Sequence, residues 1–207
     1  MPELSPEQVP FVGLTGGLGA GKSTALAALE RLGAATISSD AIVHELWAGE
    51  ERLREAAVER WGPGVARGGV IDRAAIAERV FADPEERAWL EGVLWPLVGA
   101  RVASWLADAR AEPSPGARRP RAAVVEVPLL FEAGQQGIYD ATIAVVSDEA
   151  LRRERAAARG HASVDERAAS QLSQEEKARL ATFVVRNDGT ERDLQRALSA
   201  VLDKLDR

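Results

Sequence analysis

The chain has 207 residues, 46% hydrophobic and 28% charged, with 26 Lys+Arg against 32 Asp+Glu and a formal net charge of −6, which is an ordinary globular composition with enough length for one or two cores. The absence of cysteine excludes a disulfide framework, a thiolate metal site and a cysteine nucleophile, and two histidines, His44 and His161, leave little for a His-rich metal centre. The acidic balance speaks against a general nucleic-acid surface and no apolar run approaches the ~20 residues of a membrane span, so neither nucleic acid nor a membrane is an expected partner.

In chain order, the opening Met1-Pro2-Glu3-Leu4 lacks a basic region followed by an apolar one, and a cytoplasmic location is expected. Residues 10–15 form an apolar run too short for a helix and end in the glycines 16, 17, 19 and 21, which predicts a buried strand and a turn. From Lys22 the pattern becomes helical, with Leu26, Leu29 and Leu32 in phase and Gly33 as the stop. A short strand is predicted over 34–37, followed by a helix through Ile42, Val43 and Leu46 with Ser38 and Ser39 as cap candidates. Residues 47–110 hold all five tryptophans and two helical patterns, Ile76 to Phe81 and Val98 to Leu106, and read as a helical insertion. The prolines and glycine of 112–121 predict an exposed loop. Apolar runs at 122–127 and 141–146 predict two further buried strands, residues 149–180 an arginine-rich helical region, 183–185 a last strand, and Leu194, Leu198, Val201 and Leu202 a closing amphipathic helix. Apolar strands interleaved with helices define an α/β class with a parallel sheet flanked by helices.

The chemistry is concentrated in Gly16-Gly17-Leu18-Gly19-Ala20-Gly21-Lys22-Ser23, which fits G-x-x-x-x-G-K-[ST] and is followed by Thr24. Glycines permit a tight turn whose backbone N–H groups converge on phosphate oxygens, and the helix N-terminus adds its positive dipole end. Gly17, Gly19, Ala20, Gly21 and Thr24 would line the phosphates, Lys22 would reach the β- and γ-phosphates, and the Ser23 hydroxyl would hold Mg²⁺. The guanine-reading motif [NT]-K-x-D has only a near match, Asp203-Lys204-Leu205-Asp206, which carries Asp where Asn or Thr is needed. A small P-loop kinase acting on ATP fits the length.

The run from Gly13 to Thr24 resembles the opening of the dephospho-CoA kinases, and the likeness continues in order: Ser39-Asp40 to Leu46, Ile71-Asp72-Arg73, Val80-Phe81, Leu90-Glu91 with Pro96, Val127-Pro128-Leu129-Leu130-Phe131-Glu132, Arg167 with Gln171, Glu176-Lys177 and Asn187. The resemblance implies transfer of the ATP γ-phosphoryl to the ribose 3′-hydroxyl of dephospho-CoA, with ATP and Mg²⁺ required. Two positions depart from it: Ser38-Ser39-Asp40 stands where many members have Asp-Ala-Asp, and Trp95-Pro96 where many have His-Pro.

Residue roles follow with their plain structural alternatives. Asp40, just past the second strand at the carboxyl edge of the sheet, would orient the attacking hydroxyl and accept its proton, or else cap a helix. Arg155 and Arg159 lie one helical turn apart and would close over the polyphosphate, or else form a solvated face. Through the resemblance Arg73 is a candidate for the acceptor's phosphates and Asn187 for the neighbourhood of adenine; locally Arg73 starts a helix and Asn187 reads as an Asx turn with Asp188-Gly189. His44 reads as a surface or acceptor-site residue, and Glu126, near the expected Mg²⁺, reads equally as a paired sheet-edge carboxylate. The expected organisation is a P-loop core from 1–40 and 111–207, a helical acceptor (CoA-binding) domain over 41–110, and a lid over 149–173 within the core. The rival readings are a kinase for another small hydroxyl or nucleotide acceptor, and a nucleotide-binding regulatory module with no transfer activity.

Overall fold

The structure, a computed structural model, describes residues 8–67, 70–158 and 171–206. The chain divides into two compact units, with boundaries after Ser38 and after Trp105. In the first unit lie β1 (Phe11–Gly16), α1 (Lys22–Arg31), β2 (Ala35–Ser38), β5 (Ala123–Glu126), β6 (Ala141–Val146), α6 (Glu149–Ala158), α7 (Gln174–Leu180), β7 (Phe183–Arg186) and α8 (Glu191–Leu205). The second contains α2 (Ser39–Gly49), α3 (Glu51–Trp61), β3 (Ala66–Arg67), β4 (Val70–Ile71), α4 (Arg73–Ala82) and α5 (Pro84–Arg110), whose last turn passes into the first unit.

The strands of the first unit form one sheet of order β2-β5-β1-β6-β7, every neighbouring pair parallel. Side chains alternate between its faces. Val12 and Leu14 of β1 lie beside Val124 of β5 and Ile143 of β6, and all are fully buried in a core completed by Ala25, Ala28 and Leu29 of α1 and by Leu194, Leu198 and Leu202 of α8. Gly13 and Thr15 point the other way. A Cβ at Gly13 would fall 2.4 Å from Leu130, so the loop after β5 packs directly on bare backbone there, and the Thr15 hydroxyl donates to the Pro128 carbonyl at 3.1 Å. The apolar runs at 122–127 and 141–146 were legible as strands for this reason: a strand covered on both faces has no polar side to show.

Parallel pairing brings the carboxyl ends of all five strands to one edge, where the phosphate-loop sequence follows β1, Ser147 follows β6 and Asn187 follows β7. Because β5 and β6 flank β1, the strand order reverses direction at β1, and such a switch point is where open α/β sheets bind ligands.

In the second unit, Asp72 caps α4 by accepting the N–H groups of Ala74 and Ala75 at 3.1 Å. Trp61 and Trp89 meet edge-on with ring centroids 4.8 Å apart, and the Trp61 indole N–H donates to Glu86 at 2.7 Å. Arg60 pairs with the same carboxylate, and these hydrogen bonds hold Glu86 below the usual carboxylate range. Trp47 and Trp61 are thus core, while Trp95 is 40% exposed. The antiparallel pair β3–β4 was not expected within a stretch read as helical. Asp40 also falls outside its expected unit, because α2 starts at Ser39 directly from the end of β2. The region expected to be helical over 149–180 contains α6 and α7; residues 159–170, with Arg159 and Arg167 of the expected lid, lie outside the described residues. Among the described residues no helix is long and apolar enough to cross a membrane.

Candidate active site

β1 delivers the chain into the loop and α1 receives it. Gly19 (φ +77°) and Gly21 (φ +91°) are both left-handed, a conformation that costs a side-chain-bearing residue on the order of 1 kcal/mol or more. Close approach adds a second reason for glycine. A Cβ at Gly19 would lie 2.4 Å from the Arg152 carbonyl oxygen, and one at Gly21 would lie 2.1 Å from Asn187 Nδ2. Gly21 is the N-cap of α1, and no side chain among the described residues caps that helix, whereas Ser173 and Thr190 close reciprocal capping boxes on α7 and α8. The start of α1 thus turns the positive end of its helix dipole toward the loop, where an anion is favoured. Lys22 folds over the loop and donates to the carbonyls of Gly16 at 3.0 Å and Gly17 at 3.3 Å. Ser23, next in the same turn, is exposed, and Thr24 is half-buried.

The loop is held from outside by groups after β6 and β7. Asn187, 7% exposed, donates from Nδ2 to the Ala20 carbonyl at 2.9 Å, a bond spanning 167 residues. Its side chain is therefore committed to the loop backbone, which replaces the local Asx-turn reading. The neighbouring Asp188 instead accepts the Asp148 N–H at 2.6 Å, and that bond holds its carboxyl below the usual range while tying the exits of β6 and β7 together. Arg155 donates to the Ser147 hydroxyl and to the Asn187 carbonyl, both at 3.1 Å. Gln174 clamps the Ser147 backbone with both ends of its amide, each at 2.9 Å.

Arg152 was missed in the sequence. Its Nε donates to the Leu18 carbonyl at 3.0 Å, and its Nη2 sits 3.0 Å from where a Cβ of Gly17 would lie. Nothing in an arginine-rich helix singles out that position by periodicity. Arg153 points away, exposed and paired with Glu149. A cavity of about 690 Å³ opens beside the loop, with Gly17, Leu18, Ser147, Arg152 and Gln174 in its wall.

In the second unit Asp40 is exposed in the first turn of α2, as its second residue and not as its cap, where a carboxylate is favoured by the helix dipole. His44, one turn on, meets Arg73 of α4 through Nδ1 and Nη1 at 2.6 Å, so two expected acceptor-site residues 29 positions apart are brought together. Glu126 closes β5, half-buried.

Among the described residues no group of three His, Cys, Asp or Glu side chains could hold a metal. Mg²⁺ does not require one, since it keeps several waters and is held through one or two protein groups together with substrate phosphates. The Ser23 hydroxyl beside an uncapped helix terminus fits that habit.

A parallel sheet that switches direction at a strand leading into such a loop defines a P-loop kinase. A shikimate kinase structure from Acinetobacter baumannii shares the fold, with a TM-score of 0.51 at 16% identity and 96% of each chain covered. The chain belongs to the dephospho-CoA kinase family, whose profile matches residues 10–193. It is 38% identical over 205 residues to a dephospho-CoA kinase from Deinococcus radiodurans, covering 98% of this chain and 95% of that protein. A crystal structure from Thermus thermophilus superposes with a TM-score of 0.77 at 34% identity, covering 95% and 98% of the two chains. The dephospho-CoA kinase structure from Campylobacter jejuni gives 0.66 at 25% identity, covering 93% and 95%.

Proposed function

We propose that this protein transfers the γ-phosphoryl group of ATP to the ribose 3′-hydroxyl of dephospho-CoA, giving coenzyme A and ADP. The observation that carries this reading is the uncapped N-terminus of α1 behind left-handed Gly19 and Gly21, in a chain matched by the dephospho-CoA kinase profile over 10–193. Phosphoryl transfer asks the protein for positioning and charge stabilisation more than for covalent chemistry. Backbone N–H groups of 17–24 line the polyphosphate. Lys22 exchanges its bonds to Gly16 and Gly17 for the β- and γ-phosphate oxygens.

The Ser23 hydroxyl would hold Mg²⁺, which would supply neutralisation of charge on the phosphates. Asp40 orients the acceptor hydroxyl and takes its proton. Loose transfer needs little early deprotonation, so a carboxylate suffices. Asn187 serves the nucleotide by holding the Ala20 carbonyl, and Arg155 by fixing Asn187 and Ser147 at the loop's edge; Arg159 is a further candidate for the polyphosphate. The His44–Arg73 pair is suited to an anionic group of the acceptor, because a guanidinium offers directed donors to phosphate. The expected location is the cytoplasm.

The test is ADP release measured with ATP, Mg²⁺ and a panel of acceptors. Turnover stimulated by dephospho-CoA, with coenzyme A as product, is expected. Turnover only with another acceptor would give the protein a different substrate, and nucleotide binding without acceptor-stimulated turnover would make it a regulatory module.

A further inference from the structure

Two of the sequence segments that carry the family likeness, Val127 to Glu132 and Glu176-Lys177, are not used by the mechanism above, and the structure joins them. Lys177 of α7 is completely buried. Its Nζ donates to the Pro128 carbonyl at 2.7 Å and pairs with Glu132 Oε1 at 3.0 Å. The same carboxylate oxygen accepts the Leu172 N–H at 2.9 Å, while Oε2 is buried with no hydrogen-bond partner among the described residues. The Pro128 carbonyl has a second donor, the hydroxyl of the buried Thr15, one residue before the loop begins at Gly16. Three pieces of chain converge on this point: the end of β1, the loop after β5 and the start of α7. Gln174 lies between Leu172 and Lys177 and holds Ser147 at the exit of β6.

A fully buried ammonium is costly, and a buried ion pair is often no more stabilising than apolar residues of the same volume, so stability alone is a poor reason for it. A charge-assisted bond to a carbonyl that would otherwise have one donor does fix geometry. We propose that Lys177, neutralised by Glu132, is a positioning residue for phosphoryl transfer. It holds the Pro128 carbonyl against Thr15 and so sets where β1 delivers the phosphate loop. The inference rests on the reading of that loop as the ATP site.

The test removes both charges together, since Lys177→Met alone would leave the Glu132 carboxylate buried and unpaired. The Lys177→Met/Glu132→Gln variant keeps both shapes and leaves an acceptor for the Leu172 N–H. It should melt close to the wild type, bind ATP about tenfold more weakly, as expected for one lost charge-assisted hydrogen bond, and show a lower kcat with an unchanged KM for dephospho-CoA. A merely structural pair would change the melting temperature and leave ATP affinity and both KM values alone. A folded variant with wild-type ATP affinity and kcat would overturn the proposal.

Thr15→Val removes the other donor to the same carbonyl without touching a charge. It should weaken ATP binding in the same direction, and it decides the matter if the double variant does not fold, wild-type affinity then being the overturning result. ATP affinity by calorimetry reads out independently of turnover. A wild-type enzyme that binds ATP but is inactive on dephospho-CoA would sink the activity reading and leave this one standing or falling on the affinities.

Discussion

In the proposed mechanism Lys22 serves the phosphates and contributes little to the fold. It is half-buried in the first turn of α1, and its ammonium donates to the backbone carbonyls of Gly16 and Gly17. Lys22→Ala should therefore fold with a melting temperature near the wild type and lose turnover by roughly 10²- to 10³-fold, the scale of one removed transition-state donor. A folded variant with wild-type turnover would refute the assignment.

The arginines of α6 divide by what they touch. Arg155 bonds Ser147 and Asn187 at the loop's edge, whereas Arg153 pairs with Glu149 on the surface, an interaction of about 0–1 kcal/mol. Arg155→Ala should reduce turnover at least about tenfold more than Arg153→Ala, measured side by side at saturating substrates. Equal small effects would return both to a solvated face.

Helix ends show what an element contributes. At α8 the Thr190 hydroxyl and N–H both donate to Asp193, and Arg196 adds a third donor, together depressing the Asp193 carboxyl from its usual 3.8 to about 2. A carboxyl whose folded pKa lies below its unfolded value stabilises the fold above the unfolded pKa and loses that contribution as pH falls through the folded one. For Asp193 the window runs from about pH 4 down to about pH 2. Acid unfolding of the wild type and Asp193→Asn should differ above pH 4 and converge below pH 2. Parallel curves throughout would remove the cap from the acid response.

The same scale explains what could be read in the sequence. Strands β1, β5 and β6 announce themselves because both faces are apolar, and α8 because Leu194, Leu198, Val201 and Leu202 lie on one stripe. β3 and β4 have two residues each, too few for any period, and their one signal is Gly68-Gly69 between them. The phosphate loop was legible because glycine types are dictated locally by backbone conformation. Arg152, Gln174 and the Thr15–Pro128–Lys177 contact were not, since each joins parts of the chain that only the sheet order brings together.

At the scale of the whole molecule, the residues proposed for the nucleotide and for the acceptor hydroxyl lie in different units. The phosphate loop and the described groups that brace it belong to the first, and Asp40 lies at the start of the second, two residues past Ser38 at the end of β2. Nucleotide binding and acceptor activation should then be separable by substitution. Asp40→Asn keeps the shape and much of the hydrogen bonding, and asparagine in the first turn of a surface helix changes stability by a few tenths of a kcal/mol, the scale of a surface substitution. It removes the proton acceptor. Turnover at saturating ATP and dephospho-CoA should fall by about 10²- to 10⁴-fold while ATP affinity, read by calorimetry, stays near wild type. Were Asp40 only a favourable charge at the start of α2, both quantities would stay near wild type, so the two readings differ by at least a factor of about one hundred in one steady-state measurement. An active Asp40→Asn enzyme would sink the role altogether, because Ser38 and Ser39 offer no carboxylate in that segment to inherit it.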